Sequence, residues 1–113
     1  MQPLIYKAPI VELQINPSKV GVALGDHAEL ELGADQRVVV YLLKESRLPF
    51  GLGRQSRIRA GLLSPQAADI ISPALARDAV LRVRVVEVEP AFVRSTARGS
   101  ICLSVWGNPN DLE

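Results

Sequence analysis

The sequence predicts a mainly β domain of the α+β kind, a small barrel or sandwich of six or seven strands with one short broken helix at about residues 64–77. Three observations support this fold class. Apolar and polar residues alternate with a period of two along most of the chain, which places the apolar side chains on one face of a sheet. Clusters of Gly, Asn, Asp and Pro separate these segments as turns do. Apolar residues fall at helical spacing in one segment alone.

The first half of the chain predicts four strands. Apolar residues alternate over residues 11–15, 20–24 and 28–32, whereas residues 38–43 have no polar face. Such a strand is typical of the centre of a sheet, so residues 38–43 are expected to be buried on both faces. Residues 33–36 form a short connection of turn-forming side chains, which predicts a hairpin between residues 28–32 and 38–43.

The predicted helix begins at Ser64-Pro65. A serine oxygen caps free N–H groups, and a proline at the first helical position loses no hydrogen bond. Ser72-Pro73 repeats the same start signal, and a proline inside a helix costs about 3 kcal/mol. We therefore expect two short helices, or one helix with a sharp break at Ser72.

Further strands are predicted on both sides of this helix. Residues 58–62 alternate before it, and residues 79–89 and 101–105 alternate after it. The apolar phase changes near Val85-Val86, which predicts a β-bulge there. Phe92-Val93 is expected to form another short strand.

Length and composition place limits on function. At 113 residues the chain predicts a single β-rich domain, 1–113, with a core of its own. Cys102 and His27 are the only cysteine and histidine, which excludes an intramolecular disulfide and a Cys/His zinc site. The longest apolar run has six residues, against about 20 for a membrane span, and the N-terminus has no apolar signal region. We expect a soluble, cytoplasmic protein.

The net charge of +1 averages three unequal segments. Residues 1–35 carry −3, residues 36–59 carry +5 and residues 60–113 carry −1. Arg outnumbers Lys ten to three, which favours planar, bidentate contacts over point charges. Leu112 and Glu113 match the dipeptide that an expression vector leaves before a purification tag, and without Glu113 the net charge would be +2.

Few residues have the arrangement that catalysis requires. His27 lies in a turn beside Asp26, where a solvated histidine is expected, and Cys102 lies in a predicted apolar strand, where a buried thiol is expected. Gly51-Leu52-Gly53 lacks the strand, helix and lysine of a phosphate-binding loop. We therefore expect a non-catalytic protein without a cofactor or a metal.

The basic segment is the leading candidate for a binding site. Residues 44–57 contain Pro49, Gly51 and Gly53, so we expect a long irregular loop, and such loops are often functional. Guanidinium groups would contact phosphates and an aromatic ring would stack on a base, the combination by which proteins bind single-stranded nucleic acid. The residues expected to do this are Arg47, Phe50, Arg54, Arg57 and Arg59.

Two alternatives stay open. These arginines would solubilise a flexible loop, or pair with Glu29, Glu31 and Asp35 across the sheet. The alternative function is a protein-interaction or homo-oligomeric module with no nucleic-acid role, because strand-rich chains often bury a face or an edge in a partner subunit. Arg82 and Arg84 share one face of a later strand and would extend the basic surface if that face points the same way.

Several short motifs resemble those of a known family. Gly25-Asp26 precedes a strand, Asp35 precedes an apolar strand, and Gly61-Leu62 leads towards the helix. Over about residues 20–89 this order resembles the HIRAN domain, a small β-barrel with a helical insertion that occurs alone in bacteria and attached to helicase-like proteins in eukaryotes. The resemblance implies binding of DNA ends, with Asp35 as the one site residue carried over. Ala34 stands where the family usually has an aromatic residue.

Overall fold

The computed structural model describes residues 1–15, 21–46, 54–89 and 100–112. These residues contain six β-strands, one α-helix and a short 3-10 helix. The strands are β1 (Gln2–Val11), β2 (His27–Leu32), β3 (Val38–Ser46), β4 (Arg54–Leu63), β5 (Arg82–Glu89) and β6 (Ser100–Gly107), the helix α1 is Pro65–Ala76, and the 3-10 helix is Pro109–Leu112. Within the described residues, the helices are too short or too polar to cross a membrane.

The six strands form a closed antiparallel barrel in the order β1-β4-β3-β2-β5-β6. β1 closes the barrel, because it pairs with β6 from Gln2 to Pro9 and with β4 at Ile10 and Val11. Closure gives every strand two neighbours. The predicted mainly β fold with one short helix is therefore confirmed, and it takes the form of a six-stranded barrel.

Aliphatic side chains at alternating strand positions fill the barrel interior. Val40 and Leu42 of β3 and Leu103 and Val105 of β6 are completely buried. α1 lies against β1 and β2 and adds Ile71 to the same core. The period of two sends the intervening side chains outward. No charged side chain of the described residues is buried, so the outer surface carries the charge.

β1 lies earlier in the chain than predicted, and residues 12–15 are not a strand. The strand predicted over residues 11–15 is wrong because Glu12 has a φ of 51°, a left-handed conformation that ends β1 at Val11. Pro3 and Pro9 conceal β1 in the sequence, since proline removes a ladder hydrogen bond. The register of β1 against β6 shifts twice, and this irregular pairing accommodates the prolines.

The strand predicted over residues 20–24 is wrong for its described part, residues 21–24, which form turns and irregular structure. The Asp26 carboxylate accepts a hydrogen bond from the Ala23 N–H at 2.8 Å, a local bond that competes with strand pairing. The Gly25 N–H donates to the Val85 carbonyl, also at 2.8 Å. The loop is therefore tied to β5.

β3 is a central strand, and its predicted hairpin with β2 is confirmed. It lies between β2 and β4, as predicted. The prediction that both of its faces are buried is wrong. The outer face is only half-buried because the barrel has no second layer over it. Side chains on the inner face are Val38, Val40 and Leu42, and those on the outer face are Val39, Tyr41 and Leu43.

The irregular loop predicted over residues 44–57 is wrong at both ends. β3 continues to Ser46 and β4 begins at Arg54, and these two residues are paired in register. The polar residues at the end of β3 and the start of β4 do not predict a strand, but pairing between the two strands stabilises their extended backbone. Arg57 is consequently a strand residue with a fixed direction.

α1 is one helix, and the break predicted at Ser72 is absent. Pro73 lies inside it and removes one backbone hydrogen bond. The Ser72 hydroxyl donates to the Ala68 carbonyl, and Ile71 and Ala74, on either side of the proline, are completely buried. Burial of this face offsets the lost hydrogen bond and keeps the helix continuous.

The β-bulge predicted near Val85-Val86 is confirmed. The register between β5 and β6 shifts between Val85 and Glu87, which leaves Val86 without a partner of its own and 42% exposed. The strand predicted at Phe92-Val93 lies outside the described residues.

Gly61 lies where β1, β3 and β4 meet. It pairs with Val40 beside a register shift and has a φ of 156°. A Cβ atom at this position would lie 2.8 Å from Ile10 Cγ2 and 2.8 Å from the Val11 carbonyl oxygen. Because one of these neighbours is backbone that is fixed by barrel closure, it cannot rotate away.

We predict that Gly61→Ala lowers the free energy of unfolding by about 3 kcal/mol, since it overpacks the junction. The matched control is Gly21→Ala, because Gly21 has a φ of 75° but nothing within 4 Å of the added Cβ. The control should lose about 1 kcal/mol, from its left-handed backbone alone. Urea unfolding measures both. Equal losses in the two variants would show that crowding at the junction does not matter.

Candidate functional site

Arg57 is the centre of a cluster on the outer face of β2, β3 and β4. Its Nε lies 3.0 Å from Glu29 Oε2 and its Nη2 lies 3.1 Å from Glu31 Oε2. The guanidinium carbon lies 3.7 Å from the centroid of the Tyr41 ring. Desolvation lowers the pKa of Arg57, but hydrogen bonds to Glu31 and Glu29 outweigh it and the net shift is upward. We call these four residues the Arg57 cluster.

Strand register explains how the Arg57 cluster assembles. Glu29 on β2 faces Tyr41 on β3, and Arg57 on β4 faces Leu43. Arg57 therefore reaches diagonally across β3 to the two acids. Pairing with Glu29 and Glu31 across the sheet, one of the two alternatives above, is confirmed for this arginine. Its charge is compensated twice.

The other arginines of the basic segment are separate from this cluster. Arg59 faces Tyr41 and is exposed, and no carboxylate of the described residues lies within 4 Å of its guanidinium. Arg54 begins β4. Arg47 and Phe50 lie outside the described residues.

Asp35 lies in the tight turn between β2 and β3. Its Oδ1 accepts a hydrogen bond from the Arg37 N–H at 3.1 Å, and its Oδ2 lies 3.6 Å from Arg37 Nε. The Gly33 N–H donates to the Arg37 carbonyl at 2.7 Å and closes the turn. Gln36 takes a left-handed φ of 67°. These contacts account for an aspartate as a turn residue.

Arg82 and Arg84 occupy the outer face of β5, because Val83 and Val85 between and after them point into the core. Arg82 faces Trp106 on β6. Arg84 faces Ser104 on β6 and His27 on β2. Both arginines are exposed, and among the described residues no carboxylate lies within 4 Å of either guanidinium.

An open cleft of about 490 Å³ lies beside these two arginines, and we call it the Arg82 cleft. Trp106 is 42% exposed in it, whereas Ser104 is only 6% exposed. The loop hydrogen bond from Gly25 to Val85 fixes one rim. The lining residues are Met1, Gly25, Arg82, Arg84, Val85, Val86, Ser104 and Trp106.

The sequence alone did not point to Trp106 and Ser104. Along β6, Ser104 and Trp106 alternate with Leu103 and Val105, which are buried. This alternation was the one sequence feature that placed Ser104 and Trp106 on the outer face. Their position opposite Arg84 and Arg82 depends on the pairing of β5 with β6, which periodicity cannot provide.

His27 and Cys102 occupy the surroundings predicted for them. His27 is exposed at the start of β2. Cys102 is 7% exposed, and burial, followed by the charge of Glu87, raises the pKa of its thiol. Lys7 pairs with Glu87, and this bond raises the pKa of Lys7. The described residues include no group of three or more potential metal ligands.

Comparison with known proteins identifies no relative: no family model matches the chain, and neither a curated protein nor a solved structure matches it. The geometry of the two arginine sites is therefore the basis for assigning a function. The Arg57 cluster has two carboxylates against one guanidinium, so its charges sum to −1. The Arg82 cleft combines two arginines that contact no carboxylate of the described residues with an exposed aromatic ring.

We predict that Cys102 reacts slowly with iodoacetamide in the folded protein. The raised pKa lowers the thiolate fraction of Cys102, and burial slows access of the reagent, so at pH 8 the folded rate should be about tenfold or more below the rate in urea. Glu87→Gln should increase the folded rate, because it removes a charge that raises the thiol pKa. Glu31→Gln is the control and should react like the wild type. Similar folded and unfolded rates would contradict this account.

Proposed function

We propose that the protein is a non-catalytic module that binds single-stranded nucleic acid at the Arg82 cleft. The observation that carries this proposal is the position, on one outer face, of an exposed tryptophan beside two arginines that contact no carboxylate of the described residues. Guanidinium groups bind phosphates, and aromatic rings stack on unpaired bases. Single-stranded nucleic acid presents phosphates and unpaired bases in alternation along its backbone.

Charge compensation favours the Arg82 cleft over the Arg57 cluster. Arg57 would have to exchange Glu29 and Glu31 for a phosphate, and both carboxylates would then repel the ligand. Among the described residues, no carboxylate lies within 4 Å of the Arg82 or Arg84 guanidinium, so neither arginine would have to exchange one. Arg82 and Arg84 are two residues apart on one face of β5, so their Cα atoms are about 6.6 Å apart. At this separation the two guanidinium groups can contact different phosphates.

The resemblance to the HIRAN domain supports the same class of ligand. HIRAN domains are small barrels with a helical insertion, and their binding of DNA ends is consistent with a module for single strands. A HIRAN-like identity is thus part of the proposal. Arg54 and Arg59 of β4 remain proposed phosphate contacts outside the Arg82 cleft, and Asp35, Arg47 and Phe50 remain proposed contacts from the sequence alone.

A protein-interaction or homo-oligomeric module is the second candidate. Val86 and Trp106, each 42% exposed, place apolar surface at the Arg82 cleft, and such surface also fits a protein partner. Sedimentation of the free protein tests self-association. A homo-oligomer would sediment as a species larger than the 12.3 kDa monomer.

Salt dependence tests the proposed function directly. A labelled oligo-dT of about 16 nucleotides, near the upper end of single-domain site sizes, is titrated at about 50 mM and about 200 mM salt. Each phosphate contact contributes about 0.7 to the slope of log K against log salt for single strands. Arg82→Gln with Arg84→Gln should therefore flatten the slope by about 1.4, which is about a sevenfold smaller affinity change between the two salt concentrations.

Arg77→Gln is the matched control. Arg77 lies at the end of α1, where its Nη1 donates to the Asn110 carbonyl at 3.3 Å, and it does not line the Arg82 cleft. This variant should keep the wild-type slope. Absence of binding by the wild type at low salt would refute the proposed function. An unchanged slope in the double variant would show that the strand binds elsewhere.

A further inference from the structure

Ser104 is a shielded polar group at the floor of the Arg82 cleft. It lies on the outer face of the barrel yet is 6% exposed, while its same-face neighbour Trp106 and its cross-strand partner Arg84 are both exposed. No residue of the described structure hydrogen-bonds to the Ser104 hydroxyl. Among the described residues, every fully buried side-chain oxygen or nitrogen has a hydrogen-bond partner, so the unpartnered Ser104 hydroxyl keeps some contact with solvent, and Ser104 lines the cleft.

The Ser104 hydroxyl belongs to a square of four side chains, completed by Arg82, Arg84 and Trp106. Arg82 faces Trp106 and Arg84 faces Ser104 across the β5–β6 ladder. Directly opposed side chains have Cβ atoms about 5 Å apart, and same-face neighbours along a strand are about 6.6 Å apart. An indole, a hydroxyl and two cations are thus within reach of one small ligand.

We infer that the Arg82 cleft is a base-binding subsite, which takes one unstacked nucleobase of the strand onto Trp106, with its polar edge at Ser104 and its flanking phosphates at Arg82 and Arg84. This inference rests on the proposed function and specifies which part of the ligand the cleft accepts, namely one nucleobase with its flanking phosphates. A cleft of about 490 Å³ falls within the range of small-molecule sites. Met1 and Val86 provide apolar walls for a flat ring.

The chemistry of Ser104 determines how selective the subsite is. A hydroxyl both donates and accepts, so it can bond to a donor or to an acceptor on the edge of any base. Stacking on an indole is likewise tolerant of sequence. The subsite should therefore require a base without selecting strongly among the four.

Trp106 provides a direct optical readout, because it is the single tryptophan of the chain. Two ligands of equal length and charge are compared: oligo-dT of about 16 nucleotides and an abasic strand with the same sugar-phosphate backbone. Oligo-dT should quench the tryptophan emission and bind about 5- to 150-fold more tightly than the abasic strand, which is the range for one stacked base. The abasic strand should leave the emission unchanged.

Ser104→Ala tests the floor of the subsite. Loss of one hydrogen bond should weaken oligo-dT binding about 3- to 10-fold and leave binding of the abasic strand unaltered. Ser100→Ala is the matched control on the same strand, because the Ser100 hydroxyl bonds to Glu89 and lies outside the cleft. It should bind both strands like the wild type. Thermal unfolding of both variants verifies that the fold is retained.

The outcomes separate this inference from the proposed function. Equal binding of both strands with unchanged emission would overturn the base-binding subsite while leaving phosphate binding intact. Failure of both strands to bind at about 50 mM salt would overturn both proposals. Quenching by poly-glutamate that exceeds quenching by oligo-dT would also overturn both, in favour of an acidic protein partner.

Discussion

Closure of the barrel by β1 is the constraint on which the rest of the structure depends. β1 pairs with β6 along most of its length and with β4 at Ile10 and Val11, so the sheet has an inside and an outside rather than two open edges. The period of two then sends aliphatic side chains inward, and no charged side chain of the described residues is buried. Gly61 allows this closure, because a larger residue would collide with the β1 backbone.

The outer surface divides its charges between two arginine sites. On β2, β3 and β4, strand register places Glu29 and Glu31 within reach of Arg57, so the Arg57 guanidinium is paired with carboxylates of the protein itself. On β5, the bulge after Val85 changes the register, and Glu87 pairs with Lys7. Glu29 lines a second pocket with Arg82 and Arg84, but among the described residues no carboxylate lies within 4 Å of either guanidinium. The outer surface thus has one arginine held by two carboxylates and two arginines without a carboxylate in contact.

Periodicity predicted the features that depend on local sequence. The hairpin between β2 and β3 and the bulge in β5 follow from alternation within single segments, and the burial of Cys102 follows from its apolar neighbours. The partners of Arg57 were among the alternatives, whereas the position of Trp106 beside Arg82 required the β5–β6 register, which is a long-range property. β1 was concealed by its prolines, and α1 continues through Pro73 because burial on both sides outweighs one lost hydrogen bond.

We propose that freedom from carboxylate contacts, rather than the number of arginines, determines where the protein binds nucleic acid. Amide chemical shifts followed during titration with oligo-dT test this most directly, since they report every part of the barrel in one experiment. We expect the largest changes at residues 82–86 and 104–106. Largest changes at residues 29–31 and 57–59, around the more arginine-rich segment, would contradict it.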